Sequence, residues 1–343
     1  MNYGKVPKIE LHCHLDGSLR PETVLELIES SKDTTEKYLQ GLGENREARL
    51  QAVTTLLVAP YDCDSLDTYL KRFELPIYLM QTEEVLERVA FELMEDCAKE
   101  AVKYVEIRFA PQLHTEGQLD YDRIIGSVVK GVKRAEQIFE IRGNVILSYM
   151  RNSDVEGIYS VLDAGKPYLG KGVVAIDLCA GERDLFAPRF KEAMGYARKL
   201  GYHVTIHAGE TGITQNIVDA IEILGAERIG HGVAMMDNPE IQKKVAERGI
   251  FIECCPTSNL QTSAVEKIKD HPILPFEREG LLITLNTDNR TVSNTSMTGE
   301  FECLEKAFDI ETDFCKTVYE NALEGSFADI ETKAWLTQFK SQI

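Results

Sequence analysis

The sequence contains no run of about 18 apolar residues, the length a helix needs to cross a bilayer, so a membrane-spanning protein is not expected. No leader with a basic start, an apolar stretch and a small-residue cleavage site opens the chain, which points to the cytoplasm. Basic residues are scarce: 38 Lys and Arg face 56 Asp and Glu, leaving a formal charge of −18. A surface of that sign repels phosphate backbones and anionic lipids, which argues against nucleic acid and membranes as partners. Cys-x-x-Cys pairs are absent, and the eight cysteines (Cys13, Cys63, Cys97, Cys179, Cys254, Cys255, Cys303 and Cys315) lie mostly in apolar strand or helix patterns. They read as buried free thiols in preference to disulfides. A nucleotide-triphosphate loop is missing too. Gly165 to Gly172, GKPYLGKG, comes near one, but it ends in Gly172 where Ser or Thr is needed and precedes a strand instead of following one.

What is present is enough apolar residue for a sizeable core, 43% of 343 residues, and a regular alternation of strand and helix patterns. Strand signals stand in the stretch from Lys8 to His14, then at Lys103 to Ala110, Asn144 to Met150, Val173 to Leu178, His203 to His207, Arg228 to Gly230, Ile250 to Cys255 and Leu282 to Thr287. Helical patterns separate them. Such alternation builds right-handed βαβ units on a parallel sheet. Eight units in this length predict an α/β fold, a closed (β/α)8 TIM barrel, with a doubly wound open sheet as the alternative. The segment after the first strand, about residues 21–100, is too long for an ordinary crossover and predicts a helical insertion; further helices are expected at the C-terminus. The whole chain, residues 1–343, is read as a single barrel domain.

Parity within the strands favours the barrel. Val105, Ile107 and Phe109 alternate with Tyr104, Glu106 and Arg108, and Tyr202, Val204 and Ile206 alternate with His203, Thr205 and His207. A strand buried on both faces is normally continuous in hydrophobicity. A polar phase that recurs needs an interior tolerating Glu10, Glu106, Arg108 and Glu253, which predicts a lumen of paired charges beneath a metal site.

The densest chemical signal is KIELHCHLDGSLR, Lys8 to Arg20. Read as a strand, it sets Glu10, His12 and His14 on one face against Ile9, Leu11 and Cys13. Two imidazoles on one face reach a single ion, and imidazole is a preferred donor to zinc. The turn Asp16-Gly17-Ser18 and the helical run that follows place both at the C-terminal end of the strand, where α/β folds keep their chemistry. The fifth predicted strand ends in His207-Ala208-Gly209-Glu210, the sixth in Gly230-His231-Gly232 and the eighth in Thr287-Asp288-Asn289. Taken singly, each is compatible with a structural role; together, at four strand ends of one face, they point to a common site. The set His12, His14, His207 and Asp288 leaves a position for water, as catalytic zinc does, and one Zn²⁺ per chain is expected. A metal that brings the pKa of water to about 7 makes metal-assisted hydrolysis the expected reaction class. Glu210, three residues past a metal histidine, is suited to exchange a proton with bound substrate. Leu66, Tyr69, Leu70 and Phe73 form an apolar stripe at helical spacing, which fits either core packing or a lid over the substrate. The H-x-E and P-C-x-x-C signature of the cytidine-deaminase type is absent.

In chain order, HCHLDGSLRPET at His12, VEIRFAP at Val105, DLCAGE at Asp177, HAGE at His207, GAERIGHG at Gly225, CPTSNLQTS at Cys255 and LNTDN at Leu285 resemble the adenosine/AMP deaminase family of metal-dependent hydrolases. The resemblance covers nearly the whole chain. It implies zinc held by His12, His14, His207 and Asp288, and catalytic roles for Glu210, His231 and Asp288. Glu210 would share a proton with purine N1, and His231 would orient and polarise the attacking hydroxide. Substrate contacts are implied for His14, for Asp16 at the ribose hydroxyl, for the Gly181 backbone N–H at purine N3, for Asn289 near N7, and for Leu66, Tyr69, Leu70 and Phe73 as a lid. The implied substrate is a small purine nucleoside. Adenosine or 2′-deoxyadenosine would be deaminated to inosine or deoxyinosine with release of ammonia, with adenine or aminofutalosine as the alternative on this scaffold. Two features depart from the family pattern: the spacing within Asp177 to Glu182, and Asn289 where many members have a second aspartate. Of the other classes, a two-metal hydrolase lacks its bridging ligand at Asp177-Leu178, and a non-catalytic metal-stabilised protein has no use for Glu210.

Overall fold

The computed structural model describes residues 1–60, 63 and 65–343, residue 67 through its backbone alone. Eight strands, β1 (Lys8–His14), β2 (Val102–Phe109), β3 (Arg142–Met150), β4 (Val173–Cys179), β5 (His203–Ala208), β6 (Arg228–His231), β7 (Phe251–Cys254) and β8 (Leu282–Leu285), form one sheet in sequence order. Every adjacent pair is parallel. The ring closes between the first strand and the chain just past the last: Asp288 N donates to His12 O at 2.9 Å and His14 N to Asp288 O at 2.7 Å. Sequential order with closure is the (β/α)8 barrel; a doubly wound sheet would reverse its strand order part-way.

The segment expected to be helical contains α1 (Pro21–Glu29), α2 (Lys32–Leu39), α3 (Arg46–Leu57), α4 (Leu66–Leu70), α5 (Glu74–Leu79) and α6 (Glu83–Lys99). Of these α6 returns the chain to β2. Its buried Leu86, Val89, Ala90, Leu93, Met94 and Cys97 recur every three or four residues, and Thr82 caps it by accepting from Val85 N at 3.3 Å. The barrel continues through α7 (Tyr121–Glu136), α8 (Gly157–Gly165), α9 (Ala187–Leu200), α10 (Thr214–Asp219), α11 (Pro239–Glu247), α12 (Pro256–Gln261) and α13 (Ile273–Arg278). After β8 come α14 (Met297–Phe308), α15 (Thr312–Gly325) and α16 (Ile330–Thr337). Among the described residues no helix is long and apolar enough to cross a membrane. All eight cysteines are free thiols, seven of them buried.

The lumen carries the paired charges that parity called for. Glu253 Oε1 accepts from Arg228 Nε at 2.7 Å and from Thr205 Oγ1 at 2.9 Å, while its Oε2 accepts from Arg108 Nη2 at 2.8 Å. Arg228 Nη2 also pairs with Glu106 Oε2 at 2.6 Å. All five side chains are fully buried. Burial alone would raise the Glu253 carboxyl; Arg108 and Arg228 outweigh it and hold that carboxyl well below the usual range.

Glu10 departs from the expected parity. The register of β1 on β2 shifts between Glu10 and Cys13, so the alternation of faces is broken there. Glu10 accepts from Thr287 N at 3.1 Å and Thr287 Oγ1 at 2.8 Å, and the same hydroxyl contacts Cys13 Sγ at 3.7 Å. Ile9 and Leu11 instead cluster with Tyr104, Tyr319 and Leu336. Glu10 therefore belongs with Cys13, and burial pushes its carboxyl up to about 8. The eighth strand is also shorter than expected, ending at Leu285, so Asp288 sits beyond it with φ +60°.

Arg228→Met would leave Glu106 without its cation and Glu253 with one where it had two. A loss of about 3–5 kcal/mol is expected, read as a lowered denaturant midpoint. A loss under about 1 kcal/mol would show that the lumen charges are not coupled in this way.

Candidate active site

The groups that converge at the C-terminal mouth are oriented from the layer beneath them. His12 Nδ1 stands 2.7 Å from Glu253 Oε2, and His207 Nδ1 stands 2.9 Å from Asp177 Oδ1. A carboxylate only accepts, so both rings carry their proton on Nδ1 and turn the Nε2 lone pair inward. Despite burial, His207 and Arg108 hold the Asp177 carboxyl below the usual range. Gly230 makes room for this arrangement: a Cβ there would lie 2.9 Å from His12 Cε1.

His14 Nε2 lies 3.1 Å from His207 Nε2 and 3.4 Å from Asp288 Oδ1, which in turn is 3.3 Å from His12 Nε2. One ligand atom from each of the four residues falls within 4.8 Å of the others. Two nitrogens bound to one tetrahedral zinc at about 2.1 Å would stand about 3.4 Å apart, so the spacing suits a single ion. Two further features fit a cation. Burial keeps the His14 imidazole neutral, its pKa well below the ordinary value, and His12 Nε2 is buried without a hydrogen-bond partner. Lone pairs gathered around a carboxylate satisfy a cation and nothing else in the protein. Burial would raise the Asp288 carboxyl, but His12, His14 and His231 together hold it well below the usual range, and Ser258 Oγ donates to its Oδ2 at 2.6 Å.

A relay orients His231, which has φ +70° at the end of β6. Ile273 N donates to His271 Nδ1 at 3.2 Å, so His271 presents Nε2–H to Asn259 Oδ1, 3.1 Å away. The Asn259 amide then donates to His231 Nδ1 at 3.0 Å. His231 is left with its proton on Nε2, which faces Glu210 Oε2 at 3.7 Å.

Glu210, His231, His14, His207 and Asp288 line a small, partly open cavity of about 50 Å³, with Asn289 on one side. Leu66, Tyr69, Leu70 and Phe73 form its roof, and the Tyr69 hydroxyl is 2.6 Å from Ser293 Oγ. The apolar stripe thus covers the site. Asn289 packs on the Asp16-Gly17-Ser18 turn, where a Cβ on Gly17 would lie 2.0 Å from Asn289 Oδ1. Two expected contacts lie outside this cavity. Asp16 is buried beside it with Oδ1 unpartnered, and burial lifts its carboxyl to about 7. At Gly181 the cavity wall is the neighbouring Ala180. Sequence reasoning gave no orienting role to Asp177, Glu253, Ser258, Asn259 or His271. Glu253 stood among the polar residues of the lumen, Asp177 in the DLCAGE motif, and Ser258 and Asn259 in the CPTSNLQTS motif, whereas His271 had no signal.

A closed parallel barrel whose mouth gathers three inward-facing imidazoles and a carboxylate, with a fourth histidine and a glutamate across the cavity, defines a metal-dependent hydrolase. A family model described as adenosine deaminase matches residues 7–339. The chain is 48% identical over 333 residues to an adenosine deaminase of Clostridium perfringens, covering 97% of each. Among solved structures, an adenine deaminase from Arthrobacter aurescens shares the fold with a TM-score of 0.86 at 24% identity, over 98% of both chains. A zinc-bound amidohydrolase from Burkholderia ambifaria aligns with a TM-score of 0.85 at 26% identity, over 99% of this chain and 91% of the other. The chain belongs to the adenosine deaminase family.

Asp177→Ala removes the acceptor that orients His207 without touching a donor atom. Metal affinity is expected to fall about 10–100-fold, measured by competition with a chromophoric chelator. Unchanged affinity would detach Asp177 from the site.

Proposed function

We propose that the enzyme removes the 6-amino group of adenosine and 2′-deoxyadenosine by hydrolysis, giving inosine or deoxyinosine and ammonia, with one zinc ion held by His12, His14, His207 and Asp288. The observation that carries this reading is the pair across the cavity, Glu210 Oε2 and the His231 Nε2–H, 3.7 Å apart beside the four-donor cluster. Three imidazoles and one carboxylate are a zinc donor set, and an amidohydrolase of the same fold binds zinc. Held there, such an ion would supply a bound water whose pKa is lowered to about 7.

The chain's own groups do the rest. Glu210 gives a proton to purine N1, which draws electrons from C6 and makes it electrophilic. His231 donates from Nε2 to the attacking oxygen, and Asp288, held ionised, faces it as the acceptor. The new C6–O bond forms as N1 gains its proton; the C6–N bond then breaks, the amine leaving as ammonia with one proton of the added water while the other proton restores Glu210. Asp16 meets the ribose hydroxyl, the Gly181 N–H meets N3 and the Asn289 amide donates to N7. A cavity of about 50 Å³ is smaller than the roughly 300 Å³ of ordinary ligand pockets, so the roof at Leu66, Tyr69, Leu70 and Phe73 lifts to admit substrate and closes to exclude water. In this reading residues 1–343 are one barrel unit whose insertion, at about residues 21–100, carries the lid. Eight free thiols suit the reducing cytoplasm.

An ultraviolet assay over adenosine, deoxyadenosine, adenine and AMP, with metal analysis of the same sample, tests this. Both nucleosides are expected to turn over with one zinc per chain. AMP should fall behind by about 10²-fold or more in kcat/KM, because its phosphate brings roughly two negative charges toward a chain of net charge −18. A preference for adenine or AMP would overturn the substrate assignment.

Asn289 supplies a separate test. N7 only accepts; a carboxamide donates to it without first taking up a proton, as a carboxylate would have to. Asn289→Ala is expected to cost about 0.5–1.5 kcal/mol in kcat/KM for adenosine and much less for 7-deazaadenosine, which lacks the acceptor. Equal losses accompanied by lost zinc would make Asn289 a brace for Asp288 instead.

A further inference from the structure

Glu210 stands past the end of β5, which stops at Ala208, on a loop between Gly209 (φ +77°) and Gly212 (φ +82°). Two glycines in the left-handed region give such a loop wide freedom in the unrestrained chain. What restrains it is a carboxylate from the loop after β4. Glu182 Oε1 accepts from Gly209 N at 2.7 Å, and Oε2 accepts from Glu210 N at 2.9 Å and from Thr211 N and Oγ1, both at 3.1 Å. Asn216 Nδ2 donates to the same carboxylate at 2.8 Å and to Arg183 O at 3.1 Å, tying it to α10. Three successive backbone N–H groups closing on one anion form a nest, and a charged acceptor makes each bond about twice as strong as a neutral one. The opposite side of the strand end is held as well, because Arg151 Nη2 donates to His207 O at 2.6 Å and Arg151 Nε to Cys179 O at 3.1 Å. Glu182 itself does not line the cavity. The middle donor of the nest is the backbone of Glu210.

We propose that Glu182 is the positioning residue for Glu210: its carboxylate grips the Gly209–Thr211 backbone and so fixes where the Glu210 side chain meets the purine. This rests on the assignment of Glu210 as the N1 proton partner. Misplacing a reacting group by about 1 Å costs on the order of 10²-fold in rate. Substrate affinity through the ribose and the ring would be nearly untouched.

The experiment uses Glu182→Ala, Glu182→Gln, Glu210→Gln and the double variant Glu182→Ala/Glu210→Gln, each assayed for kcat, KM, zinc content and melting temperature, with 1-deazaadenosine as a competitive probe that has no N1 to protonate. Glu182→Ala is expected to lower kcat by about 10²-fold with KM within about threefold, full zinc and unchanged affinity for the probe. Glu182→Gln keeps one acceptor oxygen and should recover part of the loss, which also guards against a misfolded alanine variant. In the Glu210→Gln background, removal of Glu182 should add less than about twofold, because the two act as a unit. Equal factors in both backgrounds, or zinc and melting temperature falling along with kcat, would overturn the proposal. Glu210→Gln that turns over like the parent would instead remove the assignment of Glu210, whatever Glu182 does.

Discussion

Glu253 is the joint on which the structure depends. Below it, its carboxylate is shared by Arg108 and Arg228; above it, the same group receives His12 Nδ1. A buried ion costs several kcal/mol unless paired, and an isolated carboxylate in a barrel lumen would take up a proton. Here two guanidinium groups keep it charged, and only a charged, accept-only partner sets the His12 tautomer that turns a lone pair to the mouth. The network that fills the barrel and the network that orients the metal donors are therefore one network. Arg108, 3.6 Å from Asp177 as well, carries it round to His207.

Much of this was legible in the sequence. The alternation of Val105, Ile107 and Phe109 with Tyr104, Glu106 and Arg108 showed a strand with a polar inner face, and the polar residues at strand ends marked the mouth. Glu10 was misplaced because a bulge is a property of how two strands align, and no residue in β1 announces it. Asp288 was found as a polar group near a strand end, but the strand stops at Leu285 and Asp288 has a left-handed backbone, so parity has no meaning there. The relay from His271 through Asn259 to His231 was invisible for a different reason: partners 12 and 28 residues apart meet only once the barrel closes. The grip of Glu182 on the loop after β5 is of the same kind, 27 to 29 residues distant.

Chemistry and access make opposite demands on the roof. Water must be excluded for the charges at the mouth to act at full strength, yet a nucleoside is far larger than the small cavity under the roof. The chain answers with α4, a helix of five residues that starts at a serine cap and is held by contacts with the residues after β8, Tyr69 to Ser293 among them. So short a helix has little stability of its own. Its position is set by what it covers, while the barrel beneath, with buried ion pairs and continuous packing, is set by itself.

The short approach of His14 Nε2 to His207 Nε2 sets two nitrogens side by side that the fold has to hold together. His12 and His207 are held from behind by Glu253 and Asp177, which in turn are bonded to Arg108, Arg228, Thr205 and Ser148, so the fold itself sets the direction of both rings. Small zinc domains fold around their ion and are lost without it. In this barrel the donors are oriented instead by side chains that belong to the packed lumen, so affinity for a cation is a property of the whole interior, and any loosening there is felt at the mouth.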